Sequence, residues 1–387
     1  MSYLMITENQ QLADFCQQAS RQPALALDTE FVRTQTLIPK LGLIQLYAGQ
    51  DVVLVDPLTI TDWQPLAALL ADANVLKLLH SCTEDLEALA SIGLCQIYPL
   101  LDTQLAAELA GMGASLGYAK LVEQLTGQQL DKSESRTDWL ARPLAPAQLS
   151  YAADDVRYLL PLKALLLAKL PSEQHLAWLL AEGEQLISRR NFHWPAELKF
   201  LELKNSWQSS PRELAVLQLL VEWRYQYAVK QDSALGLVLK DAVIYELARR
   251  KPVAMEALAQ IQELHPRELR RHGKTILALI AQSKALPDAE LPQTFYHLNQ
   301  FPGYKQLQQD LTLAVEAAAR QANIPAGFLS VKRQLNEYLN WCWRVTDAQR
   351  TALPLPEFLR GWRRPLLLPF LPVPAHVAAL VDAAPQV

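Results

Sequence analysis

The sequence predicts an α/β domain, built on a mixed sheet with flanking helices, followed by two all-helical domains. Strand patterns are confined to the first half of the chain, whereas beyond residue 200 apolar residues recur three and four positions apart. The chain has 387 residues, of which 50% are hydrophobic and 20% are charged. It is therefore long enough for two or three domains and has the composition of a soluble globular protein.

Five segments of the first half have the composition and alternation of strands. The first three follow one another through short connections, which predicts an antiparallel meander. The later strands alternate with helical stretches, and this alternation implies crossover connections. The predicted strands are 24–33, 41–49, 51–57, 75–81 and 95–103, and the predicted helices are 62–72, 83–92, 102–111 and 115–126.

Helical patterns dominate the rest of the chain. One helix is predicted from 145 to 170, where Pro171 interrupts it, and another from 172 to 190. Two helical blocks follow, joined by a linker rich in proline, and their weak similarity makes them candidates for diverged copies of one module. The predicted units are 1–195, 208–287, 295–371 and a loose, proline-marked tail at 372–387; the helices of the blocks are 210–231, 241–250, 274–283, 305–323 and 330–343.

Charge is divided unevenly between the two halves. Residues 1–200 carry 14 Lys and Arg against 23 Asp and Glu, a net of −9, while residues 201–387 carry 22 against 17, a net of +5. The basic half favours contact with an anionic ligand, although compositional drift between domains explains the asymmetry equally well.

No targeting or membrane signal is evident. The longest apolar run, 159–170, is broken by two lysines, and the N-terminal residues lack the basic start of a leader. The four cysteines are scattered without a CxxC pair, which argues against a disulfide framework and a thiolate zinc site. We expect a cytoplasmic protein without a membrane partner.

Acidic residues mark three places in the first 160 residues. In "ALALDTEFVR" (24–33), Asp28 and Glu30 project from the same face of a strand because side chains alternate with a period of two. In "HSCTEDLEAL" (80–89), Asp85 lies in the first turn of a helix, where an acid also favours the helix dipole. Taken singly, either motif is compatible with an ordinary strand or helix end in water.

The third place is "YAADDVRYLL" (151–160), a helix with two adjacent aspartates. Asp155 lies one turn after Tyr151 on the same face, whereas Asp154 turns toward Arg157 and has an ordinary surface partner. Four carboxylates near the ends of core elements, without matching basic residues, suit Mg²⁺ or Mn²⁺. A pair of such ions can support phosphodiester hydrolysis.

Together these segments resemble the three exonuclease motifs of the DEDD superfamily, in the subgroup with tyrosine four residues before the last aspartate. More narrowly, the chain resembles the ribonuclease D family. "LDKSESRTDWLARPL" (130–144) is similar to the connector of that family, and the helical blocks are similar to its two HRDC (helicase and RNase D C-terminal) modules. In the second block the resemblance rests mainly on position and on "EFLRGWRRPLL" (357–367).

The resemblance implies a ribonuclease-H-like exonuclease fold and 3′-to-5′ hydrolysis of RNA that releases nucleoside 5′-monophosphates. It implies tRNA precursors with 3′ extensions as substrates. It also assigns Asp28, Glu30, Asp85 and Asp155 to two divalent metal ions, Mg²⁺ or Mn²⁺, and Tyr151 to the attacking water. RNA is the expected partner, and a chain of three domains is expected to work as a monomer.

Substrate contacts are predicted in two further places. His80 lies at a strand end beside Asp85, and Lys132, Arg136 and Trp139 belong to a basic, aromatic loop ahead of the third motif. A structural role for His80 and core packing for Trp139 are open alternatives. Two other functions also stay open, a nucleic-acid-binding protein with a relic exonuclease domain and a DNA exonuclease of the proofreading type.

Overall fold

The computed structural model describes residues 3–382, except for 132, 133, 135, 136, 192–194, 295–299, 301, 302, 344, 347–349, 351 and 352. Its first half is organised by a six-stranded sheet with the strand order β1-β4-β3-β2-β5-β6. The strands are β1 (Tyr3–Ile6), β2 (Ala24–Val32), β3 (Lys40–Tyr47), β4 (Val52–Val55), β5 (Leu76–Leu79) and β6 (Leu100–Asp102).

The sheet is mixed, as predicted. Strands β2, β3 and β4 form the antiparallel meander, while β5 and β6 extend the sheet in parallel on the other side of β2. The edge strand β1 pairs in parallel with β4 and was not predicted, because four residues with exposed Leu4 and Met5 leave little apolar signal.

Helices cover both faces of the sheet, since alternate residues of each strand are apolar on either side. One face is covered by α1 (Asn9–Ala19), α2 (Gln64–Leu70) and α3 (Thr83–Ala90), which share a core with Leu25 and Leu27 of β2. The other face is covered by α4 (Thr103–Leu109), α5 (Tyr118–Thr126), α6 (Pro146–Arg157), α7 (Leu159–Leu167) and α8 (Glu173–Asn191). The carboxyl end of β2 therefore opens between two layers of helices.

The single helix predicted over 145–170 is wrong in one respect. It breaks at Tyr158 into α6 and α7. Pro161 has no backbone N–H to bond the carbonyl of Arg157, and its ring crowds that carbonyl. The break lets α6 end beside the sheet edge with its own direction.

The first helical block, residues 196–290, has a core of its own. It comprises short 3₁₀ turns and α9 (Pro211–Gln231), α10 (Leu235–Val238), α11 (Asp241–Arg250), α12 (Met255–Leu258) and α13 (Pro266–Ala285). The block touches the loop after β2, where the Ala234 N–H donates to the Gln35 carbonyl (2.9 Å) and the Ile38 N–H donates to Asp232 (3.0 Å).

The second helical block shares one core with the sheet domain. Its helices are α14 (Tyr304–Ala322), α15 (Ala326–Leu329), α16 (Lys332–Trp343), α17 (Arg363–Leu367) and α18 (Ala378–Asp382). Phe328, Tyr338 and Phe358 belong to the same buried cluster as Leu159 and Leu179. The predicted domain boundaries at residues 195, 208, 287 and 295 stay predictions.

The prediction of a loose tail after residue 371 is wrong up to residue 382. Val377 and Val381 are buried in that shared core at 0% and 1% exposure, and Arg364 donates to the Val381 carbonyl (3.0 Å). The prolines end short elements one after another, but the chain stays packed against the shared core. The last five predicted tail residues lie outside the described residues.

Across the described part of the chain, no helix combines the length and the apolar character that crossing a membrane requires.

Candidate active site

The carboxyl end of β2 carries the first two carboxylates. Asp28 and Glu30 lie opposite Gln45 and Leu43 of β3, and the pairing register shifts between Glu30 and Phe31. Two residues apart on one strand, both side chains face the helix layer that contains α6. This confirms the predicted common face.

Helix α6 brings the third carboxylate over the strand end. Ligand oxygens of Asp28, Glu30 and Asp155 all lie within 4.8 Å of one another. The Tyr151 hydroxyl donates to the Asp155 carboxylate one turn along the same helix. By contrast, Asp154 pairs with Arg157 (3.4 Å), as predicted, although both side chains are half-buried rather than exposed.

Asp85 approaches from the opposite helix layer. It is 7% exposed in the first turn of α3, and its carboxylate accepts hydrogen bonds from the Thr29 backbone N–H (3.1 Å) and hydroxyl (2.5 Å). Successive side chains of a strand project from opposite faces. Thr29, between Asp28 and Glu30, therefore points away from them and toward α3. Asp85 is therefore not among the three carboxylates that converge within 4.8 Å, although its charge reaches them.

The turn before α3 is held by Asp102 at the end of β6. Its carboxylate accepts from the backbone N–H groups of Ser81 (2.9 Å), Cys82 (2.9 Å) and Gln104 (2.8 Å). Ser81 has a φ of 57°, a left-handed conformation that these bonds stabilise. Asp102 thus fixes the start of the helix that carries Asp85.

The electrostatics of the group are unfavourable for four negative charges. Burial, followed by repulsion from neighbouring carboxylates, raises the pKa of Asp28 well above its ordinary value and that of Glu30 to about 9. Burial likewise raises the pKa of Asp85 and of Asp155 to about 7. Within the described part of the chain, no ion pair involves any of the four.

The donor set fits a hard divalent cation. Carboxylate oxygens are the ligands that Mg²⁺ and Mn²⁺ prefer, and their pKa shifts indicate a site short of positive charge. A bound cation reverses that deficit by stabilising the ionised carboxylates. The residues therefore fit divalent-metal binding.

Family models match three parts of the chain. A 3′-5′ exonuclease model matches residues 3–171, an HRDC domain model matches 213–280, and a model of the ribonuclease D C-terminal HRDC domain matches 302–370. Ribonuclease D of Cronobacter turicensis is 43% identical over 94% of this chain and 97% of its own length. The Escherichia coli ribonuclease D is 41% identical over 95% of this chain and 96% of its own.

The chain belongs to the ribonuclease D family. Its structure is similar to a crystal structure of Escherichia coli RNase D, described as an exoribonuclease involved in structured RNA processing, with a TM-score of 0.89 at 40% identity and full coverage of both chains. The catalytic core of RRP6 from Trypanosoma brucei has the same fold, with a TM-score of 0.59 at 20% identity over 74% of this chain and 81% of its own. Family membership makes this chain a 3′-to-5′ exoribonuclease with an exonuclease domain and two HRDC domains, which confirms the predicted fold and enzyme class.

The connector at 130–144 is packed onto the sheet at Trp139. Trp139 is 2% exposed, and its ring centroid lies 6.1 Å from that of Tyr151. A Cβ on Gly42 would meet the Trp139 carbonyl at 2.5 Å, so only glycine permits this approach. The prediction that Trp139 contacts substrate is wrong, because its indole is enclosed by the core.

Arg142 explains why the connector is fixed there. Its guanidinium forms two 2.7 Å hydrogen bonds with the carboxylate of Asp56 and one with the Gly42 carbonyl (2.7 Å). Burial raises the pKa of Asp56, but the hydrogen bonds and charge of Arg142 outweigh it and leave that pKa below its ordinary value. The connector thereby holds Trp139 beside the ring of Tyr151.

The other predicted substrate contacts stay predictions. Lys132 and Arg136 lie outside the described residues. His80 is half-buried, and its Nδ1 lies 2.9 Å from the Thr103 hydroxyl, which itself donates to the Leu79 carbonyl (3.1 Å). The imidazole also packs edge-on against Tyr118, at 5.5 Å between centroids.

The sequence analysis missed three residues that position the site. Thr29 and Asp102 act through hydrogen bonds that no local pattern reveals, although Thr29 stands between two of the acids. Tyr118 donates to the Asp154 carbonyl (3.0 Å) and so ties α5 to the helix that carries Asp155. The contacts of Thr29 with Asp85, of Asp102 with Ser81 and of Tyr118 with Asp154 each join residues more than 20 positions apart.

Proposed function

We propose that this member of the ribonuclease D family hydrolyses the 3′-terminal phosphodiester bond of RNA with two divalent cations and releases nucleoside 5′-monophosphates. The observation that carries the proposal is the convergence of Asp28, Glu30 and Asp155 within 4.8 Å. All three are half-buried, and among the described residues none of them forms an ion pair with a cationic side chain. Asp85, on the far side of Thr29, is the fourth ligand that we propose.

The four carboxylates would hold the cations, since they are the hard oxygen donors of the site. When bound, the cations lower the pKa of the attacking water and neutralise charge that develops on the phosphate. The protein keeps the carboxylates in place through Thr29, Asp102 and the rigid end of β2. Precise placement of this kind is how a protein contributes to phosphodiester hydrolysis.

Tyr151 would orient the attacking water as a neutral phenol. Burial, followed by the charge of Asp155, raises the pKa of Tyr151 above its ordinary value, so the hydroxyl keeps its proton. It already donates to Asp155, and Trp139 limits movement of its ring. A neutral hydroxyl can accept from and donate to a water, but it cannot act as a general base near neutral pH.

The proposed substrates are tRNA precursors and other small structured RNAs with 3′ extensions. The RNase D of Escherichia coli, similar over the full chain, is described as acting in structured RNA processing. The net charge of +5 on residues 201–387 supports phosphate contact by the HRDC domains. Lys132, Arg136 and His80 are proposed contacts to the strand that enters the site.

We further propose that the enzyme acts as a monomer in the cytoplasm. The four cysteines form no disulfide, which fits a reducing compartment.

Digestion of one RNA in two labelled forms tests the proposal. A tRNA precursor with a 3′ extension, incubated with Mg²⁺, should release labelled mononucleotide at once from its 3′ end and yield a shortening ladder from a 5′ label. The ladder should stop near the mature end, EDTA should abolish digestion, and a DNA of identical sequence should be cut more slowly. Undiminished cleavage in EDTA would contradict the role of divalent cations, and dinucleotide or longer products would contradict the product class.

A further inference from the structure

A buried amide in β3 has no hydrogen-bond partner. Gln45 is 0% exposed, and among the described residues neither its Nε2 nor its Oε1 finds a partner. Leaving a carboxamide unpaired in a protein interior costs ~1–3 kcal/mol for each unsatisfied group, so buried amides are normally bonded. Gln334, in the second helical block, shows the ordinary case, since it is 2% exposed and bonds both Glu357 (2.6 Å) and the Val331 N–H (2.8 Å).

Gln45 stands beside the acidic site. It is the register partner of Asp28 across the antiparallel pair of β2 and β3. Paired residues project from the same face, with Cβ atoms roughly 4.5–5.5 Å apart. The flanking residues on that face, Leu43 and Leu54, belong to the core beneath α6. The side chain is thus enclosed between the sheet and the helix that carries Asp155.

Asp28 has a complementary deficiency. Its hydrogen-bond support is the backbone N–H of Thr29, while burial and three neighbouring carboxylates oppose its charge. An amide with free donor and acceptor groups therefore lies next to a carboxylate that lacks positive partners. A hydrated divalent cation satisfies both, because its charge suits the carboxylate and its surrounding water can bond the amide.

We propose that Gln45 is a positioning residue for a divalent cation at Asp28, through hydrogen bonds from its amide to the water around that cation. The inference rests on the proposed function, in which Asp28 is a metal ligand. It adds a residue whose amide forms no hydrogen bond with the carboxylates among the described residues and that no pattern in the sequence singles out. Outer partners of this kind typically change metal affinity by about 10- to 100-fold.

Calorimetric titration of the full-length protein with Mn²⁺ alone tests the inference. Gln45→Met keeps the length of the side chain, and Gln45→Leu is a second apolar variant. Each should weaken Mn²⁺ binding by about 10-fold. In EDTA each should melt at the wild-type temperature or higher, because an apolar group replaces an unpaired amide.

Gln334→Met is the matched control. It removes a similarly buried amide that is already bonded, in the second helical block. It should lower the melting temperature and leave Mn²⁺ affinity unchanged.

Two results overturn the inference, unchanged Mn²⁺ affinity in the Gln45 variants or a metal-free variant that is less stable than wild type. The latter means that the amide is bonded within the fold. If wild-type protein itself binds no Mn²⁺, or Asp155→Asn binds it as tightly as wild type, the proposed function fails as well.

Discussion

Two groups of partly or fully buried carboxylates in this protein differ in whether cationic side chains compensate their charge. At the carboxyl end of β2, Asp28, Glu30, Asp85 and Asp155 form no ion pair within the described part of the chain, and burial raises their pKa values. At the joint between α8 and the second helical block, Glu182 and Glu357 are 4% and 1% exposed and surrounded by arginines.

Arginines around Glu182 and Glu357 cause the difference between the two groups. Arg363 donates to Glu182, Arg189 bonds Glu182 (2.6 Å) and approaches Glu357 (3.4 Å), and Arg333 bonds Glu357 (2.9 Å). Burial raises the pKa of Glu357, but the charge of Arg189 and the other cations, with a hydrogen bond from Gln334, brings it below its ordinary value.

The comparison separates a structural role from a chemical one. Carboxylates that receive arginines from their own chain join two domains and have no capacity left for a ligand. Carboxylates buried without a cation are costly for the folded protein and retain free oxygen lone pairs. We interpret that cost as the consequence of a site built for ions from solution.

The largest expected effect comes from removing one carboxylate of the acidic site. Asp155→Asn should reduce the turnover of a 3′-labelled RNA by ~1000-fold or more, since cation-based charge stabilisation contributes several kcal/mol. The variant should fold, and in EDTA it should be no less stable than wild type because one source of repulsion is gone. Turnover within 10-fold of wild type would rule out Asp155 as a ligand.

The next effect is expected at the arginine-neutralised joint. Arg363→Met leaves Glu182 buried with less compensation and should lower the free energy of unfolding by ~3–5 kcal/mol. Urea denaturation measures this loss. Arg250→Met, at an exposed pair with Glu246, should cost less than about 0.5 kcal/mol. If both variants lost the same free energy of unfolding, the arginines at the joint would contribute no more to stability than an arginine at the surface, against this prediction.

A smaller effect is expected from removing the hydroxyl group of Tyr151. Tyr151→Phe should lower kcat by ~10- to 100-fold, because the attacking water loses an orienting group. Mn²⁺ affinity should stay unchanged, since the hydroxyl is not a ligand. Tyr245→Phe, which loses a 2.6 Å bond to the Lys204 carbonyl in the first helical block, is the control and should keep full kcat. A large loss of Mn²⁺ affinity in Tyr151→Phe would contradict the assigned role.

The smallest effect is a pH dependence of opposite sign at the two groups. Carboxylates with raised pKa values bind more protons in the folded state, so their contribution to stability falls as pH rises from ~4 toward about 7 for Asp85 and Asp155 and about 9 for Glu30. Glu357 has a lowered pKa, so its contribution is present above ~4.5 and is lost as pH falls further.

Urea unfolding in EDTA at pH 5.5 and pH 8 tests this, since Glu357 is ionised at both values. Comparison with Glu30→Gln identifies the share of the acidic site, because His80 and His272, whose pKa values burial lowers, also titrate in this range. The free energy of unfolding should be ~1–2 kcal/mol lower at pH 8, and excess Mg²⁺ should remove the difference. Glu30→Gln should reduce the decline. If the metal-free protein were more stable at pH 8 than at pH 5.5, the pH dependence of its stability would have the opposite sign and would contradict the prediction.

The sequence predicted the parts of the site that depend on local geometry. The period of two placed Asp28 and Glu30 on one face, and the helical turn separated Asp155 from Asp154. The antiparallel meander followed from short connections between apolar strands.

Contacts between distant segments could not be predicted in this way. Arg142 meets Asp56 across 86 positions, and this contact buries a connector whose basic, aromatic composition resembles that of an RNA-binding loop. The partner of Trp362 is Glu182, 180 positions away. Val377 and Val381 likewise pack in a core that distant segments complete, so the proline-marked tail at 372–387 was predicted to be loose. Nothing in the sequence marked Gln45 as part of the site, because a single polar residue within an apolar strand is common.

Anomalous diffraction from crystals soaked in Mn²⁺ tests the central claim most directly. We predict Mn²⁺ peaks among the carboxylate oxygens of Asp28, Glu30, Asp85 and Asp155, and none at the joint between Glu182 and Glu357. A fully soaked crystal without Mn²⁺ at the end of β2, in an enzyme that still degrades RNA, would contradict the claim that these four carboxylates hold metal.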